Sequence, residues 1–173
     1  MSNDTRSFIR RAALGACAAA LAAMVVPSAP AHAATSHPTV TLAKPGNGAG
    51  VLTLTVPATR PGAAPLTIDC TVTPSTPFRY YGGPYGGGEE GLATVECSAL
   101  VYKIQVDVAL YYNGSQVTYN SRTAYNALSA TADTEYPLKQ GSYQTGARAT
   151  ITTVLGGTPV TSPVYGSASV NLP

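Results

Sequence analysis

The chain of 173 residues has no Trp, two Phe, two Met, two His and three Cys, and only 10% of it is charged. Each scarcity excludes something. Ten basic and eight acidic residues with no basic run are unlike a nucleic-acid binder, which concentrates Lys and Arg on one face. A disordered chain would carry more charge and fewer β-branched residues. Two histidines leave little framework for a Ser-His-Asp arrangement or a multi-histidine metal site, so no catalytic or metal-binding residue and no cofactor is expected. The length suits one domain around one core and excludes a large enzyme.

The longest apolar run, residues 12–26, follows Arg6, Arg10 and Arg11 and precedes Ala31-His32-Ala33. This is the order of charged, apolar and small-residue regions in a secretory signal peptide, here residues 1–33. The run falls short of the ~20 residues of a membrane-spanning helix and no second one follows, so the mature protein is expected outside the cell with no membrane span. Cleavage after Ala33 discards Cys17, three of the ten basic residues and one of the eight acids, leaving seven of each sign. Such a balance creates no field that would steer phosphate or anionic lipid toward it. Residues 34–50 then form an N-terminal arm or first strand, and residues 51–173 the domain proper.

Cys70 and Cys97 survive export into a compartment where paired thiols oxidise, and they are predicted to bridge each other. With 26 residues between them, the chain-entropy model gives a stabilisation of ~3 to 4 kcal/mol. A redox role would call for a CxxC spacing, which is absent.

No helical period follows the signal, whereas runs of period two are plentiful and punctuated by Gly, Pro and Asn. The clearest places Tyr102, Ile104, Val106, Val108, Leu110 and Tyr112 on one face, with Lys103, Gln105 and Asp107 on the other, which predicts a half-buried strand. It ends at Asn113-Gly114, the pair best suited to a two-residue hairpin turn. Continuous pairing would set Tyr112 opposite Ser115, Tyr111 opposite Gln116, Leu110 opposite Val117 and Val108 opposite Tyr119. Further strands are expected over residues 39–43, 51–56, 66–73, 92–98, 143–155 and 164–172. Cys70 and Cys97 fall on inward positions of their strands, a placement that would suit a bridge across two packed sheets. Inward parity switches from odd at Cys97 to even at Tyr102, so a bulge or bend is predicted over residues 98–101.

Gly141-Ser142-Tyr143 before the alternating Ala147, Ala149 and Ile151 resembles the tyrosine corner of immunoglobulin-like sandwiches, in which a Tyr opening a late strand bonds back to the preceding connection. The resemblance implies an all-β, immunoglobulin-like antiparallel β-sandwich with one disulfide. With its Ala-rich signal, the strand-turn-strand over residues 101–117 and the late segment over residues 141–150, the chain is similar to small secreted β proteins of actinomycetes. Among these, proteins of this size and style include the adaptor subunit of umbrella toxin particles. That likeness implies toxin-complex subunits as partners and names no site residues.

The residues themselves point to binding rather than catalysis. Seven carboxylates remain after cleavage, and Asp69, Glu96 and Asp107 occupy positions read as outward and solvated. The unusual stretch is residues 77–91, inside the Cys70–Cys97 loop, where glycines are dense and Phe78, Arg79, Tyr80, Tyr81 and Tyr85 are the candidate partner-binding side chains. The expected partner is another secreted protein. A protease inhibitor presenting this loop and a carbohydrate-binding module stacking its tyrosines on sugar are the rival readings. The arm at residues 34–50 would either close the sandwich or add a strand to a partner's border.

Overall fold

A computed structural model of the chain describes residues 40–58, 60–82 and 86–173. The expected signal peptide, residues 34–39 and Tyr85 lie outside the described residues. No helix among the described residues is long and apolar enough to cross a membrane.

The fold is all-β and antiparallel. Its strands are β1 (Gly50–Val56), β2 (Leu66–Pro74), β3 (Phe78–Tyr80), β4 (Gly88–Tyr112), β5 (Ser115–Pro137), β6 (Gly141–Thr152), β7 (Val160–Thr161), β8 (Tyr165–Gly166) and β9 (Val170–Leu172). They join in one sheet of order β1-β2-β4-β6-β7, with β3 and β5 paired to β4, and β8 and β9 paired to β6.

The long β4-β5 hairpin organises everything else. Its register breaks between Glu96 and Val101, where Cys97, Ser98, Ala99 and Leu100 of β4 stand opposite Leu128 alone. This is the bend predicted from the parity switch. Asn126, on the facing strand, takes a left-handed φ of 47°, which lets β5 turn with β4. The halves before and after the bend share one core: Ile68, Val72, Ala93 and Val95 from one side pack with Ile104, Val106, Val108, Ala147 and Ile151 from the other. Side chains this fully buried need cover, and among the described residues no helix supplies it. The sheet therefore folds onto itself, with Thr118 bonded to Thr134 and Asn120 to the Asp133 carbonyl across the fold. Two layers made this way are compatible with the expected sandwich.

The disulfide joins Cys70 to Cys97, and both side chains pack on the core. It does not cross between layers. The two residues are directly opposed on neighbouring strands, at the last pair of the β2-β4 ladder before β4 bends away. Tyr143 forms the expected corner: its buried hydroxyl donates to the Lys139 carbonyl at 2.6 Å. Burial, with Glu89 nearby, pushes the Tyr143 phenol up to about 12.

Four sequence expectations need correction. The Asn113-Gly114 turn forms, with Asn113 at φ 48°, and Tyr112 and Tyr111 pair as expected with Ser115 and Gln116. Then Val117 bulges out, so Leu110 faces Thr118 and Ala109 faces Tyr119. The slip moves Tyr119 onto the face of Asp107, where its hydroxyl is used. Second, the strand expected to be half-buried is buried on both faces from Val106 to Tyr111. Its second face is covered by residues 40–45: Leu42 packs against Ala109, Tyr111, Tyr119 and Val164. Third, residues 40–43 form no strand. Gln116 holds them instead, donating to the Val40 carbonyl and accepting from the Leu42 amide, while the Tyr111 hydroxyl donates to the carbonyls of Leu42 and Ala43. The described part of the arm thus closes over the sheet. Fourth, β5 continues to Pro137, through a Thr-, Ala- and Asn-rich stretch with no apolar alternation, because only β4 borders it.

Candidate functional site

The folded sheet has two ends with different chemistry. One holds the β3 and Asn113-Gly114 region, the other the bend.

At the first end, the residues expected to float in a glycine-rich loop are partly built into the sheet. Phe78–Tyr80 is strand β3, paired to Gly88–Glu90 of β4. Register sends Arg79 and Glu89 inward, where the guanidinium donates twice to Glu89 Oε1, at 3.1 and 2.6 Å, and also to the Pro173 carbonyl. Glu89 is fully buried, and its Oε2 has no hydrogen-bond partner among the described residues. Tyr80 points the other way; its ring lies over Gly88, where a Cβ would crowd it, and its hydroxyl donates to Glu135 at 2.9 Å. Arg79 and Tyr80 are therefore occupied in holding the end of the sheet. Of the five candidates, Phe78 and Tyr81 are exposed, Tyr81 at 86%.

Behind β3 stand Tyr112, Tyr136 and Tyr143, with the Tyr112 and Tyr136 rings stacked 6.5 Å apart. The Lys139 ammonium sits 4.4 Å from the Tyr112 ring centroid, a cation–π contact. Glu90, Asp133 and Glu135 face one another across the β4-β5 ladder. Burial and the charges of Asp133 and Glu135 raise the Glu90 carboxyl. Asp133 is bridged by Arg122 and Glu135 by Tyr80, so two of the three carboxylates already have partners. No group of three or more His, Cys, Asp or Glu side chains gathers in a metal-ligand arrangement among the described residues.

Asp107 was read as outward and solvated; it is 1% exposed. Its Oδ2 accepts two hydrogen bonds from Arg148, at 3.0 and 2.7 Å, and its Oδ1 accepts from Tyr119, Ser121 and Gln105. Burial alone would push this carboxyl up, but the side-chain bonds from Arg148, Ser121, Gln105 and Tyr119 outweigh it and hold the group below its ordinary value. Both carboxylate oxygens are engaged, three bonds on Oδ1 and two on Oδ2, so the cluster anchors the second face of the sheet.

The bend end is apolar. Leu100 and Leu128 stand in the register break. The Tyr102 amide donates to the Thr153 carbonyl, which carries the β4-β6 ladder up to the bend, and Val154 and Leu155 follow in a turn closed by the Gly157 amide on the Val154 carbonyl. Tyr125 packs edge-on against Tyr102, with ring centroids 5.8 Å apart. Leu100, Leu128, Val154, Leu155 and Tyr125 are all more than half exposed, Leu155 at 77%. Sequence reading missed this group because its members come from two strands and from the turn after a third, segments that pairing alone brings to the bend. The one local signal was Val154-Leu155, an apolar pair just before Gly156-Gly157.

Comparison with known protein families, curated proteins and solved structures finds no match.

Proposed function

We propose that the chain is an exported, non-catalytic module that binds another secreted protein, and that the bend end is its contact surface. The observation that carries this reading is the exposure of Leu100 and Leu128 in the register break of β4 and β5, and of Val154 and Leu155 just past the end of β6, where the β4-β6 ladder reaches the same bend. Clustered exposed aliphatic side chains mark protein contacts, whereas sugar rings are recognised by aromatic faces. The disulfide at Cys70–Cys97 supports export to an oxidising compartment, as does the charge and hydropathy order of residues 1–33. Likeness in size and style to the adaptor subunit of umbrella toxin particles suggests one setting, an adaptor joining subunits of an extracellular toxin complex.

The test is capture from culture supernatant on the immobilised mature chain, compared with Leu128→Asp and Leu155→Asp. These exposed positions tolerate the changes without unfolding, checked by the urea midpoint. The reading expects a co-secreted protein retained by the wild type and lost from both variants. Retention by both variants would remove the bend end as the contact.

A further inference from the structure

The two borders of the folded sheet are finished differently. Along β5 the border is sealed by the bonds of Thr118 to Thr134 and of Asn120 and Arg122 to Asp133. The opposite border runs between β1 and β7, the outermost strands of the pairing order. It closes at one end only. There the amides of Gly46 and Gly48 donate to the carbonyls of Val164 and Gly166, at 3.1 and 2.6 Å, and Gly50, lacking a Cβ, admits the Tyr165 ring. Past Gly50 the two sides part. Between residues 53–57 on one wall and Val154, Thr158 and Val160 on the other lies an open groove of about 420 Å³, within the ~300–1,000 Å³ range of ligand sites.

β1 lacks the usual protection of a border strand, since Gly50–Val56 contains no charge, no Pro and no bulge. Among the described residues its main chain bonds only to β2, which leaves amides and carbonyls at alternate positions facing outward. Val56 and Pro57 on one wall and Val154 and Val160 on the other give the groove apolar lining, alternating with Thr53, Thr55, Thr153 and Thr158, while Leu54 is buried in the core. The geometry points to this groove as the receptor for an extended segment of the partner protein, apolar at every second residue, that adds to β1 as a further strand. This deepens the reading of the chain as a protein-binding module and rests on it.

A partner segment fits better than a second copy. Two β1 strands of seven residues meeting edge to edge would share a border only about 23 Å long and one strand spacing of ~4.8 Å wide. That contact is far below the ~1,000 Å² of a stable interface. A segment lying in the groove touches both walls, and Val154 makes the groove continuous with the apolar bend end.

A phage-displayed library of random decapeptides, panned on the oxidised mature chain, tests the assignment. Enriched peptides should alternate apolar and polar residues and slow amide exchange at residues 51–56. Their affinity should fall at least tenfold against Val160→Trp and against Thr158→Trp, two exposed positions whose indoles would fill the groove without disturbing the core. Leu138→Asp, exposed beside Gly87 at the opposite end, should leave peptide affinity unchanged. Peptides without alternation, protection of another segment, or undiminished binding to both Trp variants would overturn the assignment. So would a concentration-dependent dimer whose β1 amides are protected without peptide. If supernatant capture depends on Leu155 while no groove peptide emerges, the binding-module reading stands and this one falls; groove peptides without Leu155-dependent capture would keep the groove and remove the bend end as the contact.

Discussion

Changing Asp107 to Asn keeps the side chain's shape and removes its charge, which isolates what the carboxylate does in the buried cluster. Breaking a buried ion pair by removing one partner costs about 3–5 kcal/mol, and Arg148, 32% exposed, can rehydrate in part, which places the expected loss near the lower figure, about 3 kcal/mol. The hydroxyls of Tyr119 and Ser121 lose a charged acceptor at the same time. In urea, with a slope of about 1.5–2 kcal/mol/M for a domain of this size, the midpoint should fall by roughly 1.5–2 M with the slope itself unchanged. The double variant Asp107→Leu/Arg148→Met, which replaces both charges with apolar groups, should recover most of the loss. Acidity gives an independent readout. Because folding lowers the Asp107 carboxyl below its unfolded value of ~3.9, its contribution is fully present above that value and disappears as pH falls through the folded one. The wild type should therefore lose more stability between pH 5 and pH 2 than Asp107→Asn does. A midpoint shift under 0.5 M, together with identical acid limbs, would refute the assignment of Asp107 as an ionised anchor.

Removing the Cys70–Cys97 bridge by a double Ala change should lower stability by about 3–4 kcal/mol, given the sequence separation of 27, as measured by chemical unfolding under non-reducing conditions. Tyr143→Phe should cost about 1 kcal/mol through loss of the bond to the Lys139 carbonyl, and ultraviolet titration should show one phenol fewer ionising near pH 12. Leu42→Ala should destabilise by about 2–3 kcal/mol and expose residues 40–45 to limited proteolysis, since Leu42 is the apolar side chain that seats this segment on Ala109 and Tyr111.

Local chemistry foretold the elements whose causes are local. Asn113-Gly114 turns because its two residues tolerate positive φ, and the odd-to-even switch between Cys97 and Tyr102 required extra residues in the strand. Tyr143 kept its corner bond for the same reason: donor and acceptor are four residues apart. The candidate site was less legible. Phe78, Arg79 and Tyr80 read as loop anchors because dense glycine hides a three-residue strand, and Arg79 found Glu89 only once β3 paired with β4. The bulge at Val117 left no sequence mark either, since its consequence, Tyr119 reaching Asp107, depends on a side-chain bond rather than on hydrophobic alternation.

By itself the amino-acid order determined an all-β chain with an export signal pattern, two cysteines suited to one bridge, a hairpin at Asn113-Gly114 and a bend before Val101. These follow from periodicity, turn chemistry and charge, which neighbouring residues set among themselves. Only tertiary structure decided that Asp107 would be buried against Arg148, that the bridge would join neighbouring strands, and that Leu100 and Leu128 would stand exposed in one register break. Each of those outcomes depends on which distant segments the folded sheet brings together, and burial and pairing across such distances leave no periodic trace along the chain.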